Sequence, residues 1–462
     1  MHYNTGNHPR LMLCGIEEET LLAIDPDTVF WALIPRGEGI NSKLRREILK
    51  LYGRVKRECE EEMHEFRFKS HLAVIYMNSV SRCNLDCSYC YIPQEIRKNH
   101  QQMDKEQLFE TLIKVCDYNE ENGDGRKLTV VFHGSEPLLM KKEIFDAIVK
   151  FEDRLYFGIQ TNGTLLREDD VDFLKKHGVS VGLSLDSPYP EIHNSMRKNR
   201  DGRGTFEKVV EAIEWFDGYQ TLNVVTTVTK QNVSQLTEMV SFLHAKKVPS
   251  VLLNPVRGTQ GPARPLMPEK EELIKYFICA LKRAEELTRK TKKQIIIGNF
   301  ANILVGIIAP TARKLMCDIS PCGGGRCFFA IAANGDVFPC GEFIGIKEFH
   351  GGNIFRNSIP DIMDSESFRM VRDRTVEKIE HCNTCAFRNI CGAPCPAEVY
   401  SMQGNFYNPS PYCEFYEELI RFAFKMIAED KVKYFLKEDA LNSLGYKYVV
   451  SENIISSFLE II

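Results

Sequence analysis

Three cysteines stand close together in the segment RCNLDCSYCY, which covers residues 82 to 91. Cys83, Cys87 and Cys90 are separated by three residues and then by two. A structural zinc site needs four protein ligands, whereas a four-iron cluster held by three cysteines keeps one iron open to an outside ligand. A small molecule with an amine and a carboxylate can bind that iron and receive an electron from the cluster. The segment therefore indicates an iron–sulfur site, with a structural zinc knuckle as the alternative.

Eight more cysteines cluster further along the chain, which suggests that several of them bind the same metal or cluster. They are Cys322, Cys327, Cys340, Cys382, Cys385, Cys391, Cys395 and Cys413. The N-terminal residues have no signal-peptide pattern, and no apolar run reaches the roughly 18 residues that a membrane span requires. We therefore expect a cytoplasmic protein, in which closely spaced cysteines bind metals rather than form disulfides. The other five of the 16 cysteines, namely Cys14, Cys59, Cys116, Cys279 and Cys317, are expected to be packing thiols.

The composition narrows the range of partners. The 462 residues include 59 basic and 63 acidic side chains, for a net charge of -4. This balance gives no general attraction to nucleic acid or to anionic lipid, so neither nucleic acid nor a membrane is expected as a partner. An apolar content of 44% over this length supports two or three domains with sizeable cores.

Short apolar strands alternate with amphipathic helices from about residue 71, and this alternation predicts βα units around a parallel sheet. Six strands are predicted, over residues 71–80, 128–134, 154–162, 179–186, 222–229 and 249–256. Six strands are too few for an eight-stranded barrel, so the predicted fold is α/β with an open, partial (β/α)6 barrel of the TIM type. The loops that follow the strands carry the chemistry in such barrels. The first three cysteines follow the first strand directly.

The predicted barrel, residues 69–300, lies between two other regions. Residues 1–68 form an extension with a hairpin over 10–35, turning at the DPDT segment, and a charged helix over about 42–65. A cysteine-rich and glycine-rich domain is predicted over 301–420, and a largely helical tail over 421–462.

The spacing of Cys83, Cys87 and Cys90, just after the first strand and with Tyr89 before the last cysteine, resembles the motif of the radical S-adenosylmethionine (SAM) superfamily. The resemblance implies that these three catalytic cysteines hold a [4Fe-4S] cluster and that the methionine part of SAM binds its fourth iron. Reductive cleavage of SAM would then give a 5′-deoxyadenosyl radical.

The resemblance also implies SAM contacts at successive strand ends. Gly134 and Glu136 of the HGSEP segment would receive the SAM ammonium, although Ser135 departs from the second glycine that the family usually has. Ser184 and Asp186 would suit the ribose hydroxyls, and Arg197 the SAM carboxylate. The full predicted set is Tyr89, Gly134, Ser135, Glu136, Thr161, Asn162, Ser184, Asp186, Arg197 and Val256, of which Val256 would wall the adenine.

The second group of cysteines resembles the SPASM extension of radical SAM enzymes, which holds two auxiliary [4Fe-4S] clusters. By resemblance, Cys322, Cys340 and Cys395 serve the first cluster, and Cys382, Cys385, Cys391 and Cys413 the second. Two roles are open for Cys327: it completes the first cluster, or it is a buried thiol that leaves one iron open to a substrate. Cys382 to Cys395 could alternatively form a zinc finger, but the two extra upstream cysteines suit paired clusters better.

Members of the superfamily with this extension mostly oxidise or cross-link peptides. The resemblance predicts a maturase that forms a thioether, carbon–carbon or carbon–oxygen bond in a ribosomally made precursor peptide, with a one-electron donor such as a flavodoxin or ferredoxin. Anaerobic sulfatase maturases, which form formylglycine, are the alternative. They place an aspartate after the cysteine that matches Cys340, where this chain has Gly341, and Glu342 could replace it only if its side chain turned inward. A non-catalytic, zinc-stabilised scaffold for peptide or RNA is a further alternative. Whether the N-terminal extension binds a leader peptide is open.

Overall fold

A computed structural model of the protein describes residues 11–17, 20–35, 42–69, 71–437, 449–450 and 455–456. Strands β1 (Met12–Glu17), β2 (Thr20–Ile24) and β3 (Trp31–Pro35) form an antiparallel meander, and helix α1 (Ser42–Phe68) follows. The sequence predicted one hairpin here. The DPDT segment does form a turn, between β2 and β3, but the apolar run before it is long enough to fold back and supply a third strand.

All six predicted barrel strands are present, and each pairs in parallel with the next. They are β4 (Val74–Met77), β5 (Thr129–Phe132), β6 (Tyr156–Thr161), β7 (Ser180–Ser184), β8 (Leu222–Val228) and β9 (Ser250–Pro255). The helices between them are α2 (Gln94–Lys98), α3 (Lys105–Asn122), α4 (Lys141–Phe151), α5 (Glu168–Lys176), α6 (Pro190–Met196), α7 (Phe206–Phe216) and α8 (Leu236–Ala245). The carboxyl ends of these strands therefore meet along one rim of the barrel.

The sheet continues beyond the six strands at both ends, which the sequence did not predict. Helix α9 (Lys270–Thr291), strand β10 (Ile296–Ile297) and helix α10 (Gly298–Ile308) follow β9, and β10 pairs in parallel with it. At the other end β11 (Phe328–Ile331) pairs in parallel with β4, and β12 (Asp336–Phe338) and β13 (Gly352–Asn353) add antiparallel strands. The edge of β4 is thus covered by the cysteine-rich region. This pairing places that region beside the strand that leads into the first three cysteines.

The C-terminal part is mostly helical as far as Ala428. Its helices are α11 (Ile359–Met363), α12 (Glu366–Arg372), α13 (Arg388–Cys391), α14 (Pro396–Gln403) and α15 (Cys413–Ala428). Beyond this point most of the predicted helical tail lies outside the described residues, and the residues that are described include a 3-10 turn (Val432–Tyr434) and two short strands, β14 (Val449–Val450) and β15 (Ile455–Ser456). The two strands pair with each other, and β15 pairs antiparallel with β3. The bare edge of β3 offers backbone hydrogen bonds that favour a strand here.

The N-terminal sheet packs on both of its faces. Trp31 and Leu33 join the main hydrophobic core, whereas Ala32 and Ile34 pack with residues of α1. The Trp31 indole Nε1 donates a hydrogen bond of 3.0 Å to the backbone oxygen of Ile307 in α10. The extension is therefore fixed to the barrel. No helix in the part of the chain that the structure describes is both long and apolar enough to span a bilayer.

Candidate functional site

The first three cysteines lie in the loop after β4, and each of them keeps some accessible surface. The backbone N–H of Leu85 donates to Cys83 Sγ at 3.4 Å. Burial raises the pKa of the Cys83 and Cys87 thiols to about 12; Cys87 and Cys90 add to the rise at Cys83, and Cys90 adds to the rise at Cys87. Thiolates so enclosed need positive charge beside them. The donor set therefore fits an iron–sulfur cluster, in which each cysteine binds its own iron.

The backbone after β5 forms a turn that explains the HGSEP segment. Gly134 has φ +82°, and a Cβ there would lie 2.3 Å from Asn78 Oδ1. Ser135 also lies in the left-handed region, at φ +47°, and its Oγ donates a 2.6 Å hydrogen bond to the Ser81 backbone oxygen. Serine thus adopts the conformation that glycine takes most easily, and the hydrogen bond offsets part of its cost. The segment therefore holds two consecutive residues in the left-handed region.

Glu136 links the ends of two strands. It has no exposed surface, and its Oε1 accepts hydrogen bonds from Thr161 Oγ1 at 2.7 Å and Leu138 N at 3.0 Å. Its Oε2 accepts from the backbone N–H of Asn162 at 2.9 Å. Burial raises the pKa of Glu136, and these three donors oppose that rise. The carboxylate therefore fixes the loop after β5 against the end of β6, whatever further contact it makes with a ligand.

Asn162 connects this network to the first cysteine. Its Nδ2 donates to Asn84 Oδ1 at 2.9 Å and lies 3.9 Å from Cys83 Sγ. Asn84 in turn donates to Thr164 Oγ1 at 2.8 Å. The sequence analysis missed Asn84 and Thr164, since a short polar residue in a loop carries no spacing signal of its own.

Asp186 anchors the predicted carboxylate-binding arginine. Its side chain is fully buried, and its Oδ2 accepts from Arg197 Nε at 2.8 Å and from the Tyr89 hydroxyl. Its Oδ1 accepts from Thr227 N at 2.9 Å. The Arg197 guanidinium also lies 5.4 Å from the centre of the Tyr89 ring. This geometry makes Asp186 a partner of Arg197, and its predicted contact with the ribose hydroxyls stays a prediction.

His193 contacts the backbone of Asp186. The Asp186 backbone N–H donates to His193 Nδ1 at 3.2 Å, and His193 Nε2 lies 3.0 Å from Thr205 Oγ1. Burial lowers the pKa of His193 to about 4, so the ring is neutral near pH 7 and can accept at Nδ1.

The remaining two predicted contacts lie near the same region. Ser184 is buried at the end of β7. Val256, after β9, packs with Tyr89, Met196 and Ala263. Its backbone oxygen accepts a hydrogen bond of 2.6 Å from the Tyr412 hydroxyl. Both residues therefore sit at the strand ends where they were predicted.

The structure brings the predicted ligands of the second auxiliary site together. Cys382 lies in a single helical turn, Cys385 follows it, Cys391 ends α13 and Cys413 begins α15. Each of Cys382 and Cys391 has its pKa raised first by burial and then by the other thiols of this set. Cys413 thus joins three cysteines that lie within residues 382–391, as a shared cluster requires.

A fourth thiol, Cys317, lies near the cysteines of the first auxiliary set. The pKa of Cys317 is raised mainly by burial, and the nearby Cys322 and Cys395 add to the rise. Cys317 in turn raises the pKa of Cys340. Cys317 keeps exposed residue surface, but its thiol is crowded by protein. Cys327 interacts with Cys322 and directly precedes β11, within an apolar cluster that includes Phe328. No three potential ligands among the described residues converge on a single metal ion.

Glu342 lies between the first three cysteines and this set. Gly341 to Phe343 form a turn of 3-10 helix, not a strand, so Glu342 does not alternate with its neighbours. Its carboxylate accepts a hydrogen bond of 3.1 Å from Thr259 Oγ1 and lies 3.7 Å from Arg257 Nε. It raises the pKa of Cys90 on one side and of Cys340 and Cys395 on the other. Glu342 therefore turns inward, contrary to the strand geometry assumed from sequence.

The chain matches two family models. Residues 77–243 match the radical SAM superfamily, and residues 322–386 match the SPASM iron–sulfur cluster-binding domain.

Two relatives and two solved structures illustrate the similarity. An uncharacterised protein of Archaeoglobus fulgidus is 46% identical over 91% of this chain and 95% of its own length. A cysteine-type anaerobic sulfatase-maturating enzyme of Clostridium perfringens is 24% identical over 76% of this chain and 96% of its own. The structure of anSMEcpe with AdoMet and the Cp18Cys peptide covers 78% of this chain and 99% of that one, at 22% identity and a TM-score of 0.66. SuiB of Streptococcus suis, bound to its precursor peptide SuiA, covers 86% and 99% at 16% identity and a TM-score of 0.59. At these identities the two structures support the fold alone.

Proposed function

Because the chain belongs to the radical SAM superfamily and carries a SPASM domain, we propose that it oxidatively modifies or cross-links a ribosomally made peptide. The observation that carries the proposal is the position of Glu342, which lies near both the SAM-site cysteines and the first auxiliary set. A substrate side chain beside Glu342 would be near both sites. Relatives and structural neighbours that act on or bind peptides and proteins support the same substrate class.

The residues around the site would bind and orient the cluster, SAM and the substrate. The radical chemistry itself would be supplied by the bound cluster and SAM. Cys83, Cys87 and Cys90 would hold the cluster. Arg197, kept in place by Asp186, would bind the SAM carboxylate through its planar guanidinium. The turn at Gly134 would present backbone oxygens to the ammonium. An external one-electron donor such as a flavodoxin or ferredoxin completes the proposal.

We test this function by anaerobic incubation with SAM, a reductant and the peptide encoded beside the gene, followed by mass spectrometry. A peptide that has lost two hydrogens, together with released 5′-deoxyadenosine, would support the proposal. Release of 5′-deoxyadenosine without any change in peptide mass would reject this peptide as the substrate. Colourless protein that contains zinc but no iron would instead support the non-catalytic scaffold.

Cys317 is our proposed fourth ligand of the first auxiliary cluster, beside Cys322, Cys340 and Cys395. The proposal differs from the sequence prediction of Cys327 and rests on the electrostatic contacts of Cys317 with the other three thiols.

Replacing Cys317 by alanine should lower the iron content from about twelve to about eight atoms per chain, or give a labile three-iron cluster. The Cys327→Ala variant should keep all of its iron, because we assign that thiol to packing. Iron analysis and electron paramagnetic resonance of both variants distinguish the assignments. Loss of iron from Cys327→Ala alone would restore the sequence prediction. Cys279→Ala, at an exposed cysteine, serves as the matched control.

A sulfatase-maturase activity is the second candidate, and the inward position of Glu342 favours it. The sequence argument against this activity was the absence of an acid after Cys340, and it assumed that residue 342 would face away. The helical turn removes that assumption. Burial raises the pKa of Glu342, while Arg257 lowers it, so the group can accept a proton within the site.

Glu342→Gln should therefore reduce modified product by about 100-fold or more, because the side chain can no longer accept a proton. Release of 5′-deoxyadenosine should continue, since the SAM site is unchanged. Liquid chromatography with mass detection measures both products in one reaction. Glu398, the other carboxylate near Arg257, provides the control: its Oε1 is already engaged by the Gly258 backbone N–H at 2.8 Å. If Glu342→Gln and Glu398→Gln lost product equally, the specific role of Glu342 would be wrong.

A further inference from the structure

The loop that carries the first three cysteines lies at the surface of the protein. Arg82, Asp86 and Ser88 are exposed beside and between the cysteines, and the cysteines themselves keep some accessible surface. A cluster held by these cysteines would therefore be separated from solvent by this one loop. An external electron donor, which the proposed function requires, has its shortest approach to the cluster here.

Two neighbouring segments are attached to this loop. A short hairpin pairs with it, since Leu85 forms an antiparallel bridge with Asn199 and the Asp86 backbone N–H donates to the Lys198 oxygen at 3.0 Å. Helix α2 is held to the loop by an ion pair of 2.9 Å between Arg97 and Asp86. Loop, helix and hairpin thus form one surface over the cysteines. We call it the cysteine-loop surface, and it comprises residues 82–88, 94–98 and 198–203.

The cysteine-loop surface is basic. Asp86 is paired with Arg97 and Asp201 with Arg203, which leaves Glu95 as its one acidic side chain outside an ion pair among the described residues. Four exposed cations of this surface have no acidic partner in the part of the chain that the structure describes, namely Arg82, Lys98, Lys198 and Arg200. The whole chain has a net charge of -4. Positive charge is therefore a property of this surface and not of the protein in general.

A groove adjoins the basic residues. It has a volume of about 420 Å³, and Ile96 and Phe338 are among the apolar side chains that line it. Ser81 and Asn99, the sequence neighbours of Arg82 and Lys98, also line it, together with Lys347. Apolar side chains next to a polar and charged rim are the composition of a protein–protein interface. The surface thus offers a partner a recess as well as charge.

We infer that the cysteine-loop surface docks an acidic one-electron donor protein of the flavodoxin or ferredoxin kind. The inference rests on the proposed function and names the face that its external donor uses. One electron passes from the donor to the cluster, and no bond is made or broken. Opposite charges speed the encounter of two proteins and orient them without tight binding. This suits a donor that must leave after each electron.

The first test measures binding of an oxidised bacterial flavodoxin, as an acidic probe, to the oxidised holoenzyme by isothermal titration calorimetry. We expect a Kd on the order of 10 μM at low salt, because electron-transfer complexes are weak. Raising the NaCl concentration from about 20 mM to about 300 mM should weaken binding at least about tenfold, since exposed charges are screened. Absence of binding, or an affinity that does not change with salt, would overturn the inference.

A pair of triple variants places the binding on this surface. The first reverses three of its cations, Lys98→Glu, Lys198→Glu and Arg200→Glu. The matched control reverses three exposed cations of α9, Lys275→Glu, Lys282→Glu and Arg289→Glu. The first variant should bind flavodoxin at least about tenfold more weakly than wild type, and the control within about twofold. Iron content and thermal midpoint show that each is folded. Equal losses in both variants would mean that net charge alone acts, and would refute the surface.

Two electron sources separate docking from the radical chemistry. With flavodoxin kept reduced by NADPH and its reductase, the surface variant should release 5′-deoxyadenosine at least about tenfold more slowly than wild type. With reduced methyl viologen, which is too small to need a docking surface, it should stay within about twofold. Equal flavodoxin-supported rates in the folded variant and the wild type would reject the inference and leave the enzyme class intact.

Two further outcomes are distinct from these. A single-stranded DNA of about 20 nucleotides that bound through the same cations more tightly than flavodoxin would assign the surface to nucleic acid and overturn the inference. If wild-type protein releases no 5′-deoxyadenosine even with methyl viologen, the proposed function itself fails, whichever protein docks.

Discussion

Replacing Cys83, Cys87 and Cys90 together by alanine should abolish the release of 5′-deoxyadenosine, with a loss of at least about 1000-fold. The three thiols are the proposed ligands of the cluster that cleaves SAM, and without them no iron is left near Arg197 to bind and reduce it. The iron content should fall from about twelve to about eight atoms per chain, because the auxiliary ligands lie on other segments. Chromatography of the nucleoside and iron analysis measure the two effects.

The control for this variant is Cys116→Ala, which removes a buried thiol in α3. Its iron content and its nucleoside release should match those of the wild-type enzyme, although a small cavity lowers its stability. Continued release from the triple variant would reject the assignment of the SAM site. Loss of all twelve irons would show that the SAM-site cysteines are needed for the auxiliary clusters as well.

Asp186→Ala should be the most damaging single change outside the cysteines. It leaves the Arg197 guanidinium, the Tyr89 hydroxyl and the Thr227 N–H without their acceptor in a site where the Asp186 side chain is fully buried. Breaking a buried ion pair in this way costs about 3–5 kcal/mol. We expect a clear fall in the thermal midpoint and at least a tenfold loss of SAM affinity, because Arg197 is no longer oriented. Differential scanning fluorimetry and equilibrium dialysis with SAM provide the measurements.

Asp201→Ala is the matched control, since Asp201 pairs with Arg203 at 2.6 Å in the same segment but at the surface. Exposed ion pairs contribute little, so neither the thermal midpoint nor SAM affinity should change measurably. Equal effects of the two substitutions would mean that burial of the Asp186 pair has no special importance. Preserved SAM affinity in a folded Asp186→Ala variant would remove Asp186 as the residue that positions Arg197.

Much of the barrel and the choice of site were predictable from the sequence. The six parallel strands are predictable because the alternation of apolar runs and amphipathic helices depends only on residues close together in the sequence. The spacing of Cys83, Cys87 and Cys90 is also a local pattern within one loop, and it can be recognised without any knowledge of tertiary contacts. The structure places Cys382, Cys385, Cys391 and Cys413 near one another, and three of these four lie within one short run of the sequence.

The tertiary structure decided what depends on segments distant in sequence. Pairing of β11 with β4 places the cysteine-rich region against the barrel, and nothing local to either strand predicts their register. It also brings Cys317 to Cys322, Cys340 and Cys395, a set that spacing alone did not identify.

The direction of a single side chain was equally beyond the sequence. Residues that follow Cys340 were expected to alternate as in a strand, but a helical turn directs Glu342 inward beside Arg257. Likewise, Asp186 has the residue type of a ligand contact, and only the fold shows that it accepts hydrogen bonds from Tyr89, Arg197 and Thr227. The sequence by itself determined which residue types and which βα framework carry the chemistry, because those signals are local. Only the fold decided which polar groups face a ligand and which satisfy one another, because every buried donor and acceptor must find a partner in three dimensions.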